Sequence, residues 1–140
     1  MKSILSFILF LLLISCAAQI DYISVSESDP EKPMADPSVL NKTVDLSIVD
    51  LKPVILKRAI PYYPQKARQD KVEGRVVVEV VIDEKGEVIF AHILESIPEL
   101  DESAKHTAMY CLFKPAFYKG KPVKVKMAIS FDYTLQNPVQ

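Results

Sequence analysis

At 140 residues the chain has room for one domain of modest size, which excludes a second core. Hydrophobic residues make up 49% and the formal net charge is -1, excluding both the basic balance of a nucleic-acid binder and the charge excess of a disordered chain. Ten prolines against three glycines, with no tryptophan, predict extended approach segments joined to a compact body.

The first element in the chain is an export signal. Met1 and Lys2 precede an apolar run from Ile4 to Ile14, shorter than the about 20 residues that span a bilayer. Stretched to Ile20, the run allows an uncleaved anchor as the alternative. Leu13-Ile14-Ser15-Cys16 looks like a bacterial lipobox, so residues 1–16 are read as the signal and Cys16 as the lipidated first residue of the mature chain. With Ala17 rather than an aspartate next to it, sorting rules of the enterobacterial type favour an outer-membrane lipoprotein over an inner-membrane one.

Residues 17–47 are polar and acid-leaning, with Asp21, Glu27, Asp29, Glu31 and Asp36 interrupted by Pro30, Pro33 and Pro37. This composition predicts a flexible tether, and the chain as far as Lys52 averages about 33 Å end to end. The domain proper is expected over 48–136, followed by a tail at 137–140. Pro53 to Lys57 reads as an extended segment entering it.

Pro64 suits the first position of a short helix that ends before Gly74. Arg75 to Asp83 then reads as a strand, because Val76, Val78, Val80 and Ile82 share one face at period two. Asp83-Glu84-Lys85-Gly86 is a turn signal, and Val88 to Glu95 returns as the hairpin partner with a bulge near Ile89 or Phe90. Leu100, Ala104, Ala108, Cys111 and Leu112 recur at helical spacing, with Asp101 as the expected cap. Pro115 stops that helix, and Val123 to Leu135 alternate as a long last strand.

The predicted fold is therefore α+β in two layers. It has a three-stranded antiparallel sheet of order 2-1-3, with both helices packed on one face. The last strand lies at an edge, so Val123, Lys124, Val125, Lys126, Met127, Ala128, Ile129 and Ser130 become candidates for pairing with a partner's strand. Lys124 and Lys126 there are equally the charges that keep an edge from pairing. Val77, Val81, Phe90 and Leu94 are candidates for an apolar contact on the open face, with a homodimer as one use of it and cover by the segment around Val54 and Leu56 as the alternative. Lys114, Lys119, Lys121, Lys124 and Lys126 form a basic run that suits an anionic lipid, cell-wall polymer or acidic peptide, or simply a solvated face.

Chemistry has little to work with. Cys111 is the only cysteine besides Cys16, and neither a CxxC pair nor a histidine cluster is present, so no metal or other cofactor is expected. His106 and Cys111 are five residues apart and cannot face each other on one helix, which argues against a thiol enzyme.

In order and spacing these features resemble the C-terminal domain of the TonB family of bacterial energy transducers. The likeness covers about Pro61 to Tyr133. It runs through Pro61-Tyr62-Tyr63-Pro64, Ala67, Gly74, Ile82-Asp83, Gly86, Leu100-Asp101, Ala104, Phe113-Lys114-Pro115-Ala116, Gly120-Lys121-Pro122-Val123 and Ile129, Phe131 and Tyr133. Ile97-Pro98 and Cys111 depart from the family pattern. The resemblance implies a periplasmic, membrane-anchored binding module without enzymatic activity, to which a peptide of an outer-membrane transporter or other envelope protein adds as a strand. A family transducer ordinarily keeps an inner-membrane helix, whereas a cleaved signal at Cys16 implies a lipid-anchored adaptor that transmits no force.

Overall fold

The computed structural model describes residues 20–136. Cys16, with the rest of the export signal, and the tail at 137–140 lie outside the described residues. The elements in chain order are β1 (Asp21–Ser24), a 3-10 turn (Pro37–Lys42), β2 (Val54–Ile60), α1 (Gln65–Gln69), β3 (Gly74–Ile82), β4 (Val88–Glu95), α2 (Pro98–Ala108), β5 (Leu112–Lys114), β6 (Ala116–Tyr118), β7 (Lys121–Val123) and β8 (Val125–Tyr133). The fold is mixed α+β.

β3 is the centre of the main sheet, antiparallel to β4 on one side and to β8 on the other. Its alternation decides which face is dry. Val76, Val78, Val80 and Ile82 are fully buried against α2, which presents Leu100, Ser103, Ala104, Thr107 and Ala108. Each buried branched side chain contributes roughly 1.5–3 kcal/mol before entropy is counted. The small residues of α2 bring its backbone close to the sheet. Ser103 is satisfied there, donating to the Tyr62 carbonyl at 2.5 Å and accepting from the Tyr133 hydroxyl at 3.0 Å.

The hairpin between β3 and β4 is held by one carboxylate. Asp83 accepts from the backbone N–H groups of Lys85 and Glu87, both at 2.9 Å, and Gly86 takes φ +86°. A side chain at Gly86 would put its Cβ 1.8 Å from the Phe113 carbonyl oxygen. The bulge expected in β4 lies at Ile89, where the register shifts between the Val81 and Ile82 pairs, and a second shift at Leu94 displaces the end of the strand.

Several elements differ from the sequence expectation. α2 begins at Pro98 with Ile97 in the cap position, and Asp101 instead folds back from inside the first turn to accept the Ile97 N–H at 2.8 Å. The helix ends at Ala108, so Cys111 and Leu112 leave it. Leu112 opens β5, and the buried Cys111 thiol accepts from the Ala59 N–H at 3.5 Å. The stretch from Val123 divides, because Val123 closes a β6–β7 hairpin while β8 runs only from Val125 to Tyr133.

A second sheet, in the order β1-β2-β5, stands beside the first. It draws on residues read from the sequence as a tether, since β1 pairs parallel to β2 with Asp21 beside Lys57 and Ser24 beside Ile60. From β1 the chain runs along α2, where Lys32 donates to the Met109 carbonyl at 3.0 Å and Tyr110 donates to the Pro30 carbonyl. It passes the outer edge of β4, with Ala35 N–H on the Ile89 carbonyl at 2.8 Å, and reaches the outer edge of β8, with Val44 N–H on the Lys124 carbonyl at 2.8 Å. Residues 35–45 are thus fastened to both edges of the main sheet, as a belt between them. Hydrogen bonds from Ser47, and more weakly the Lys126 ammonium, hold the Asp45 carboxyl below its ordinary pKa.

Gly86→Ala is expected to destabilise the fold by more than about 2 kcal/mol, because the new Cβ meets backbone and the φ is left-handed. Urea unfolding followed by circular dichroism measures this. A midpoint within error of the parent would show that the hairpin and β5 can part without loss.

Candidate partner-binding edge

β8 is an edge strand whose outward groups follow from its contacts. Residues pointing their N–H and C=O to one side of a strand recur every second position. The Lys124 carbonyl meets Val44 on the side away from β3, and the Ser130 carbonyl accepts from the Arg58 guanidinium at 2.7 Å. The even-numbered residues Lys124, Lys126, Ala128 and Ser130 therefore direct their backbone groups outward. Val125, Met127 and Ile129 direct theirs at β3, opposite Ile82, Val80 and Val78.

The candidate residues divide accordingly. Val123 sits in β7 and is not on the edge. Lys124 and Val125 carry the bridge to Val44, so the belt already occupies that end. Arg58, which also stacks over the Phe131 ring at 6.0 Å, occupies the Ser130 carbonyl at the other end. Between them, no described residue bonds the outward groups of Ala128, which is exposed, or the N–H of Ser130. The free edge is a short window from the Lys126 carbonyl to the Ser130 N–H.

The two lysines do not repel a partner as bare charges. Lys124 lies 3.9 Å from Glu84 and Lys126 lies 4.0 Å from Glu79, exposed pairs worth at most about 1 kcal/mol each. Both carboxylates come from the main sheet and its turn, and Asp45 of the belt adds a third acid within the field of Lys126.

The open-face candidates do not form an exposed patch. Val81 is fully buried and Phe90 is 8% exposed, both outside the cluster that packs on α2. Val77 is half-buried, and Leu94 stands apart at 51% exposure at the bulged end of β4. Val54 and Leu56 cover nothing here, being 55% and 44% exposed on β2.

Belt and Arg58 were both missed by sequence reasoning. Val39, Leu40, Val44, Leu46 and Val49, all half-buried, were the available signal, since a solvated tether has no need of apolar residues at that density. Arg58 carried no signal, as its partner is a backbone carbonyl 72 residues away.

Catalytic groups are not brought together. Burial raises the Cys111 thiol above its ordinary pKa, and its sulfur faces Ala59, while His106 packs edge-on between Tyr62 and Tyr110. Among the described residues no three His, Cys, Asp or Glu side chains stand close enough to hold a metal ion.

Comparison with known proteins places this architecture. Residues 59–135, more than half of the chain, match the family described as Gram-negative bacterial TonB protein C-terminal. Protein TonB of Vibrio cholerae serotype O1 is 30% identical over 91 residues, which is 64% of this chain but only 37% of that protein. The solution NMR structure of the Pseudomonas aeruginosa TonB CTD superimposes with a TM-score of 0.51 at 28% identity, covering 69% of this chain and 97% of that one. The matched span holds the hairpin, α2 and the β8 edge together, and the chain belongs to the TonB C-terminal domain family.

Proposed function

We propose that the chain is a non-enzymatic periplasmic binding module in energy-coupled transport, engaging an outer-membrane transporter or another envelope protein by strand addition. The observation that carries this reading is the unpaired outward edge at Ala128 and Ser130 on a domain of the TonB C-terminal fold. A strand laid there gains backbone hydrogen bonds worth about 0.5–1.5 kcal/mol each, with little demand on its side chains. Three or four such bonds support a weak, exchangeable contact.

The lipobox-like Leu13 to Cys16 supports a second reading, a membrane-anchored adaptor that transmits no force. On that reading, cleavage before Cys16 removes the helix through which a family transducer is linked to a proton-driven complex. Cys16→Ser is expected to abolish acylation and release or mislocalise the protein. Intact mass and membrane fractionation check this, and recovery of the unprocessed chain in the inner membrane returns the reading to a helix-anchored transducer.

Proline tests the edge because it deletes a single N–H. Ala128→Pro loses an outward N–H and should abolish binding of a transporter-derived peptide with the fold intact. Met127→Pro loses one directed at β3 and should unfold the sheet. Calorimetric titration with parallel circular dichroism separates them, and undiminished binding by a folded Ala128→Pro variant would exclude strand addition at this edge.

Val44→Pro removes the N–H that holds the Lys124 carbonyl, while Thr43 before it is already extended at ψ 150°. The window lengthens by one acceptor. The same titration should show several-fold tighter binding, and weaker binding would mean that the belt supports the partner rather than competing with it.

A further inference from the structure

Eight large apolar side chains are exposed on the described surface, and six of them fall in two short stretches: Ile20 and Tyr22, then Ile48, Leu51, Val54 and Leu56. The second sheet brings these stretches together. The parallel register sets Asp21 beside Lys57 and Tyr22 beside Arg58, so continuing it by one residue sets Ile20 beside Leu56. Val54 lies opposite Lys114 on β5, and Leu51 is bridged to Phe117 on β6. The Lys119 N–H on the Asp50 carboxylate, at 2.6 Å, folds the β6–β7 turn against the same stretch.

Around this apolar strip stand Lys52, Lys57, Lys114, Lys119 and Lys121, all exposed. None of the five has an ion-pair partner among the described residues, whereas Lys124 and Lys126 both do. The basic run visible in the sequence thus splits into two parts. One part is ion-paired beside the β8 edge; the other has no ion pair, although Asp21 lies beside Lys57 and Asp50 beside Lys119. A surface that mixes free lysines with large apolar side chains suits an anionic bilayer, where the chains enter the headgroup boundary and the ammoniums meet lipid phosphate.

The distance to the membrane points the same way. β1 begins at Asp21, five residues after Cys16, and five residues span at most about 18 Å. A domain of this size has a radius of gyration of about 13 Å, so such a lead holds it within about its own diameter of the lipid. On the membrane-anchored reading, the side carrying β1 stays nearest the attachment point.

We propose that the outer side of the β1-β2-β5 sheet, with residues 48–54, is a docking surface for an anionic bilayer that seats the domain on the membrane. This rests on the membrane-anchored reading for the geometry of approach, while the surface itself is testable apart from it. Seated in this way, the domain gives up rotational freedom that a floating module would keep.

The chain has no tryptophan, so a single introduced one reports its own surroundings. Full-length Leu51→Trp and Leu94→Trp proteins would be reconstituted into vesicles of phosphatidylcholine alone or with brominated phosphatidylglycerol, and flotation would be scored beside fluorescence. The expected result is a blue shift and strong quenching for Leu51→Trp in the anionic vesicles, none for Leu94→Trp, and loss of most quenching when Lys57→Glu and Lys114→Glu are added. Flotation without quenching of Leu51→Trp overturns the docking surface and leaves the anchor standing. Equal quenching of both reporters overturns it too, since the domain would then tumble on the membrane. Failure to float in neutral vesicles removes the anchor reading alone: lysine-dependent quenching in the anionic vesicles would still support the surface, and its absence would overturn it. Binding to isolated cell wall with no quenching in any vesicle assigns the lysines to a polymer and ends the lipid proposal.

Discussion

Everything in this domain hangs on β3 being paired on both sides while one of its faces is sealed by α2. The strand has no free edge, and Val76, Val78, Val80 and Ile82 cannot be reached by water. β4 and β8 then have their register set by β3, because a slip of one residue would turn the buried sides of both outward. The outward direction of Ala128 and Ser130 is a consequence of that register. The candidate binding edge is therefore a by-product of core packing.

An exposed edge strand invites unwanted pairing, and the chain limits this without closing the edge. The belt occupies the Lys124 end and Arg58 occupies the Ser130 carbonyl. What remains is too short to template a second copy of a long strand, yet long enough for a few backbone hydrogen bonds. Val44 of the belt, with Leu46 and Val49 just after it, packs against the main core cluster. The apolar residues of this stretch are thus spent on the shared core rather than on a core of its own.

Charge is distributed to match. Glu79 and Glu84 hold the lysines nearest the β8 edge, and Arg75 pairs with Asp132 at 2.6 Å further along the same face. Of the lysines without an ion pair among the described residues, Lys57 and Lys114 lie on the other sheet, Lys52 just before it, and Lys119 and Lys121 on the β6–β7 hairpin. A formal net charge of -1 conceals this separation, since it averages a paired region and a basic one.

The sequence by itself determined what depends on local chemistry and period. The alternation in β3 and β8, the Asp83–Gly86 turn, the alanine face of α2 and the family likeness were legible because each is written in residues close along the chain. Period-two burial needs only neighbours two apart, and a left-handed turn needs only glycine in place. Tertiary structure alone decided the rest. Cys111 lies at helical spacing, yet it left α2 because Leu112 and Phe113 pair with β2 from a distant part of the chain. The last strand divides at Lys124, where β6 and β7 close on each other. Residues 20–47 read as a tether because polar composition hides sparse anchors; whether Val44 meets water or the edge of β8 depends on a surface formed some 80 residues later. Which edge groups stay free is decided by the same long-range contacts, of which a single strand carries no trace.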